Sequence, residues 1–216
     1  MGHWYNEAVF YHIYPLGLLG APKRNEGTEI EHRMQELLPW IDHMKDLGVT
    51  AVYIGPLFES TTHGYDTKDY KKVDRRLGDN EDFKEFVKKC HEAGIRVVVD
   101  GVFNHTGREF FAFQDIQKNR EHSPYVNWYK GVNFGWNSPY NDGFGYEAWR
   151  NCFELVNLNL YEQAASDDGE IMRPKEPNWT AWANDVRTMR MLDGRSHRQI
   201  CEMFGRVQRD QFWVKN

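Results

Sequence analysis

Two short apolar runs, residues 50–54 (TAVYI) and 95–99 (IRVVV), each follow an amphipathic segment that stops at a glycine. Consecutive β-branched and apolar side chains leave no polar face for water, so such runs belong in a parallel sheet covered on both sides. An earlier run, 8–13 (AVFYHI), is closed by Pro15 and Gly17 and reads as a first strand. Leu37, Leu38, Ile41, Met44 and Leu47 recur at helical spacing, Pro39 suits a first turn and Gly48 a left-handed stop. Asp79 can cap a second helix that carries Phe83, Phe86, Val87 and Cys90 on one face and ends at Gly94. Strand, helix, strand, helix, strand predicts an α/β fold. Right-handed crossovers of this kind build either a doubly wound open sheet or a closed eight-stranded barrel, and periodicity alone does not separate them.

Composition narrows the partners. The chain has 216 residues, 40% of them hydrophobic, with 32 Asp+Glu against 27 Lys+Arg and a net charge of -5. That is enough apolar side chain for one substantial core. No cluster of Lys and Arg is present to neutralise phosphates, which argues against a nucleic-acid partner. No apolar stretch is long enough to span a membrane. Cys90, Cys152 and Cys201 are too far apart for a local zinc site, and an odd count suits a reducing compartment. Residues 1–6 lack the pattern of a signal peptide, so the expected location is cytoplasmic.

Two segments leave strand ends rich in polar groups, where parallel sheets collect their functional residues. Residues 55–78 (GPLFESTTHGYDTKDYKKVDRRLG) read as a long polar loop presenting His63, Tyr65, Asp66, Asp69 and Tyr70. The plainer reading of that loop is a connector whose charges face water. Residues 97–107 (VVVDGVFNHTG) run from an apolar strand into Asp100, Asn104 and His105, and buried strands rarely end so polar without reason. From 107 to about 157 the composition shifts to aromatic, Asn, Gly and Pro, including Tyr125, Trp128, Tyr129, Trp136, Tyr140 and Trp149. This reads as an irregular insertion that buries most of its rings to hold itself together, with sugar stacking as the functional alternative. Beyond Leu160 the strand rhythm stops: the last 56 residues hold seven dispersed Val, Ile or Thr, two weak helical patterns (Trp182, Val186, Met189; Ile200, Met203, Phe204, Val207) and a linker-like stretch at 167–177.

These motifs carry a family resemblance. AVFYHIYP at 8–15, DLGVTAVYIGP at 46–56, HGYDTKDYKKVD at 63–74, DGVFNHTG at 100–107 and ELVNLN at 154–159 together resemble the α-amylase family of glycoside hydrolases, family 13. The resemblance implies a (β/α)8 TIM barrel with a B domain inserted after the third strand. In this chain that gives three barrel units over 1–106, the insertion over 107–160, and a tail over 161–216 that does not look like the family. It implies α-glucan or maltooligosaccharide as substrate and retaining cleavage of α-1,4 bonds. Tyr65 resembles the aromatic that stacks on the sugar beside the scissile bond, and His105 the imidazole that hydrogen-bonds its hydroxyls. Asp100 resembles the carboxylate that braces the site by pairing with an Arg from strand four. Asn104 resembles a calcium ligand, but its companion is Asn157 where many members have Asp, which removes a charge a hard cation wants. No cofactor is required. Thr62 replaces an Asp shared by members specialised for short oligosaccharides or α-1,6 bonds, which leans towards amylase-like cleavage.

The same resemblance exposes a gap. Retaining glycosidases place two carboxyl groups about 5 Å apart. The family's Arg-x-Asp, its acid/base Glu and its later His-Asp pair have no counterpart in this sequence. RMLD at 190–193 is one residue too long and follows no apolar strand, and Glu202 in CEMF follows none either. No catalytic residue is assigned. The alternative to a partial glycosidase domain is a silent fragment that at most binds carbohydrate. Half a barrel also leaves an unpaired strand edge, which favours self-association, and leaves Asp100 without its Arg, a costly carboxylate if buried.

Overall fold

A computed structural model describes residues 4–159, all of them within one compact unit, Met1–Glu162. The two weak helical patterns, the linker, RMLD and Glu202 lie outside the described residues.

The first half alternates as its apolar spacing predicts. β1 (Phe10–Ile13) leads through a single-turn helix, α1 (Pro15–Leu18), and a 3-10 turn (Arg33–Leu37) into α2 (Trp40–Asp46). β2 (Ala51–Ile54) follows. Gly48, at φ 72°, ends the α2 segment in the left-handed conformation that a side chain would disfavour. α3 (Asn80–Glu92) starts from Asp79, whose side chain accepts from the backbone N–H of Glu81 and Asp82 while Asp82 reciprocates to Asp79 N. This capping box satisfies donors the first turn would otherwise orphan. β5 (Arg96–Val99) closes a three-stranded parallel sheet in the order β1-β2-β5.

Register divides that sheet into two unequal faces. Tyr11, Val52 and Val97 align in one row and Ile13, Ile54 and Val99 in the next. This face packs under the helices: Val52 and Ile54 are fully buried, and Tyr11 meets Trp40 and His43 of α2. On the other face Phe10 aligns with Ala51 and Arg96, and His12 with Tyr53 and Val98. There Phe10, His12 and Arg96 are exposed and Tyr53 and Val98 only half-buried. Among the described residues the expectation that residues 50–54 are covered on both sides therefore holds fully for one side and in part for the other, where Ala51 is fully buried and Tyr53 half-buried.

Residues 55–78 are not a solvated loop. β3 (Phe58–Ser60) and β4 (Thr67–Val73) form an antiparallel hairpin, and Glu59, Asp66, Asp74 and Arg76 are all buried within it or beside it. Register shifts in the hairpin move the buried positions of β4 to every third residue, Thr67, Tyr70 and Val73, so TKDYKKV hides the two-residue alternation of a strand. Arg76 and Asp74 make a two-point ion pair, with Nε to Oδ1 at 2.8 Å and an Nη to Oδ2 at 2.7 Å. Ser60 donates to the same carboxylate through N and Oγ, and the remaining guanidinium donors reach the Pro22 and Thr62 carbonyls. Burial of these charges is tolerable because each is hydrogen-bonded.

The aromatic insertion is more regular than its composition suggests. It contains α4 (Phe111–Asn119), and β6 (His105–Gly107), β7 (Ala148–Trp149) and β8 (Cys152–Asn157) make an antiparallel sheet in the order β6-β8-β7. β6 spans the boundary drawn at 106/107. Phe113, Phe144 and Tyr146 form its buried centre, joined by Tyr129. Arg108 braces this core by gripping Asp142 with two bonds of 2.7 Å. The idea that the insertion buries most of its rings needs correction: Trp136, Tyr140 and Trp149 are exposed.

Candidate functional site

The carboxyl ends of β1, β2 and β5 converge on one cluster. Asp100 directly follows β5, half-buried, with the hydroxyls of Tyr53 and Tyr65 and the charge of His12 beside it favouring its charged form. Burial, the largest influence, nonetheless pushes its carboxyl above the usual range. The same burial, with Asp100 next, raises both tyrosine hydroxyls, which stay protonated as donors. Among the described residues no Arg faces Asp100, and the two tyrosine hydroxyls stand beside it instead.

Tyr65 is held by several elements at once. Its carbonyl accepts from His105 Nε2 at 3.1 Å, and its N–H donates to His63 Nδ1 at 3.1 Å. Tyr14, just beyond β1, donates to the His63 carbonyl at 3.0 Å. Its backbone is held at both N–H and carbonyl, its hydroxyl lies beside Asp100, and 40% of the residue is still exposed. Two glycines make this approach possible. At Gly64, with φ 96°, a Cβ would lie 2.7 Å from Pro56, and at Gly107 a Cβ would lie 2.4 Å from the Asp66 carbonyl oxygen. The glycine of HGY thus lets the loop carrying Tyr65 pack on Pro56, and the glycine of HTG is where that loop meets β6.

His105 is buried and sits beside Tyr65. A carbonyl only accepts, so Nε2 carries the hydrogen, and Nδ1 accepts from Asn104 Nδ2 at 3.2 Å. Burial, reinforced by His63, lowers its pKa and keeps the ring neutral, which agrees with that tautomer. Both ring nitrogens therefore face protein, and the hydroxyl contact that the resemblance implies for His105 is not open in this arrangement. Trp149 stacks near it, with ring centroids 5.9 Å apart at 30°, and is itself 40% exposed. Trp149, Tyr14, Tyr53 and His12 are the members of this cluster that sequence reasoning did not single out. Tyr53 was accessible to it, because it stands one residue before the carboxyl end of an apolar strand.

Asn104 and Asn157 are neighbours, because β6 pairs with β8 so that Asn157 aligns with His105, the residue after Asn104. Asn104 Nδ2 donates to Asn157 Oδ1 at 3.5 Å as well as to His105. Calcium takes six to eight oxygen ligands, several of them anionic. Here two neutral amides face each other, one through its amino group. Among the described residues the group of carboxylates and imidazole with metal-ligand spacing lies elsewhere, at His32, Asp79 and Asp82. The residues present do not fit a calcium ion.

Chemically, the cluster offers an aromatic face, neutral donors and one carboxylate already engaged by hydroxyls. That suits the C–H face of an uncharged sugar and lacks the second carboxyl group that retaining cleavage needs.

Comparison with known proteins gives two separate matches. The family described as "Alpha amylase, catalytic domain" matches residues 33–165, more than half of the chain. "Phage replication protein O, C-terminal domain" matches residues 159–216. A cyclomaltodextrinase of a Bacillus species is 42% identical over 141 residues, covering 58% of this chain and 25% of its own length. Protein YfdO of Escherichia coli K12 is 68% identical over 59 residues, covering 27% of this chain and 48% of its own. Among solved structures, the cyclic α-maltosyl-(1→6)-maltose hydrolase of Arthrobacter globiformis superposes with a TM-score of 0.67 at 27% identity, over 89% of this chain and 43% of that one. The structural relatives are TIM-barrel enzymes that this chain covers in part. It spans about a quarter of the length of the cyclomaltodextrinase. No helix among the described residues is long and apolar enough to cross a membrane.

Proposed function

Because the chain belongs to the α-amylase family of glycoside hydrolases through residues 33–165, we propose that it carries the sugar-facing part of an α-glucan-cleaving domain and binds maltooligosaccharides without cleaving them. In this reading β1, β2 and β5 are the first three strands of a (β/α)8 barrel within 1–106, residues 107–160 are the inserted B domain, and the barrel is incomplete. Tyr65 is the stacking platform, Asp100 holds its hydroxyl and His105 holds its backbone. The observation that carries the reading is the Tyr65 ring, half open to solvent on a backbone held by His63 and His105, with its hydroxyl beside Asp100. A ring that has already lost its rotamer freedom costs less to order on binding. Turnover is left out because Asp100 is the carboxylate at the ring and two hydroxyls already occupy it.

The test is titration of the full chain with maltoheptaose, followed by intrinsic fluorescence, beside an assay with a chromogenic maltooligosaccharide. Saturable binding that disappears in Tyr65→Ala, with no turnover, is expected. Binding unchanged by that substitution would overturn the platform. Turnover lost in His105→Ala would show that the chain is an active glycosidase.

The match over 159–216 favours a second reading for that segment, as a module of a phage replication protein, a role the acidic balance of the chain does not suggest. Expressing the chain during phage infection tests it. Competition with the phage's own protein predicts fewer phage DNA copies, and a copy number equal to that with residues 1–158 alone would remove this reading.

A further inference from the structure

The outer edge of β5 is where the described chain leaves a strand paired on one side. β5 bonds to β2, and no strand among the described residues lies beyond it. Its phase is fixed: Arg96 N donates to Thr50 O and Asp100 N to Ile54 O, both towards β2. Alternate residues of a strand turn their N–H and C=O to opposite sides, so those of Val97 and Val99 point outward. Arg96, Val98 and Asp100 share the inner face, where Arg96 is exposed, its guanidinium 5.0 Å from the Trp4 ring. Among the described residues the hydroxyls of Tyr53 and Tyr65 lie beside Asp100 on that face and no guanidinium does.

From 96 to 100 the strand reads RVVVD, a cation, three valines and an anion. Turned end for end, it complements itself. We propose that two copies of this chain pair edge to edge through β5, antiparallel about a two-fold axis at Val98, with Arg96 of each copy opposite Asp100 of the other.

The backbone phase allows this register. Val97 then faces Val99 of the second copy, and the outward groups of these residues exchange the hydrogen bonds. Val98 faces its own equivalent, and the two Arg96–Asp100 pairs fall at non-hydrogen-bonded positions, where opposite side chains come closest. A slip of one residue puts outward groups against inward ones. A slip of two sets Arg96 or Asp100 opposite Val98 and loses both ion pairs. β1, the other edge of the sheet, reads FYHI and has no such self-complementarity.

Sedimentation velocity on the full chain over a range of concentrations tests the pairing. A concentration-dependent dimer is expected. Arg96→Asp and Asp100→Arg, each of which sets like charges opposite one another, should weaken it about tenfold or more. The double swap R96D/D100R restores opposite charges and should restore the dimer, which a merely structural role for either residue would not do. Val97→Pro removes an outward donor and no bond to β2, so a folded V97P chain, checked by circular dichroism, should be monomeric. A wild-type monomer throughout, as when residues 160–216 cover the edge, would overturn the proposal. So would a dimer indifferent to V97P, or a double swap that stays monomeric.

Discussion

Asp74 and Asp100 each follow directly on a β-strand, yet Asp74 is fully buried in a closed network while Asp100 is half-buried against two hydroxyls. Asp74 faces a guanidinium, a serine hydroxyl and backbone donors from the segment between Ser60 and Arg76, and Asn25 adds an amide at 3.4 Å. Asp100 draws on Tyr53, Tyr65 and the more distant charge of His12. The difference separates two kinds of construction. The segment through the β3–β4 hairpin to Arg76 meets most of its own charges, and Pro22 and Asn25 complete the network. Among the described residues the parallel sheet leaves one face partly open, with Phe10 and Arg96 exposed and no Lys or Arg beside the Asp100 carboxylate.

The largest effect should come from breaking the self-sufficient side. Arg76→Met keeps much of the side-chain volume and strands the Asp74 carboxylate, and removing one partner of a buried pair costs about 3–5 kcal/mol. Thermal or denaturant unfolding measures it. A loss no greater than that of an ordinary surface substitution would mean that the network is not closed in the way described.

Next in size is the seam between hairpin and insertion. Gly107→Ala sets a Cβ 2.4 Å from a backbone oxygen of Asp66, an atom that cannot swing away as a side chain can. Overpacking of this kind costs about 1–3 kcal/mol. The same shift pushes the Tyr65 loop off His105, so maltoheptaose binding should weaken together with stability. Stability lost at unchanged binding would separate the seam from the sugar site.

The two constructions were unequally legible. The sheet and its helices follow from apolar runs, the Asp79 cap and glycine stops such as Gly48 and Gly94, because each of those signals is local. The hairpin was missed because its bulges reset the phase of TKDYKKV. Asp74 and Arg76, two residues apart, look like surface charges until a fold places Ser60, Pro22 and Thr62 around them. α4 was lost among aromatics although Ala112, Phe113 and Ile116 do line one face. At the site, Tyr65, Asp100 and His105 came from the motifs that carry the family resemblance. Trp149 could not, since its partner His105 is 44 positions away in sequence and the two meet only through β6, β8 and β7.

On the open side the effects are smaller and one of them has the opposite sign. Asp100 has its folded pKa raised above the ordinary 3.8 by burial, so the folded chain holds that proton more readily than the unfolded one. Its contribution to stability is best below 3.8 and falls as pH rises through the raised value. Asp100→Asn keeps an acceptor for both tyrosines and removes the charge. At neutral pH, and at concentrations where the chain is monomeric, the variant should be slightly more stable than the wild type, and the difference should vanish in acid. A destabilised variant would show that the two hydroxyls already offset the burial of the charge.

The smallest effect lies at the start of α3, where the chain again closes its own charges. His32 Nδ1 sits 2.7 Å from Asp82 Oδ2, and that hydrogen bond, followed by the charge of Asp82 and then of Asp79, raises the imidazole above its ordinary 6.5. Gln35 also donates to Asp82 and to Glu85 nearby, so neutral donors and acids complete the surroundings. Because the folded value is raised, the stabilisation is fully present below 6.5 and is lost as pH rises through the folded value. Unfolding temperatures at about pH 5.5 and pH 8 should therefore differ more in the wild type than in His32→Ala. The change should be slight, since His32 is exposed and Asp82 keeps the Asp79 N–H and Gln35 when the imidazole is neutral. A large change would mean that the cap depends on the imidazolium, and that this corner of the molecule is as incomplete as the open face of the sheet.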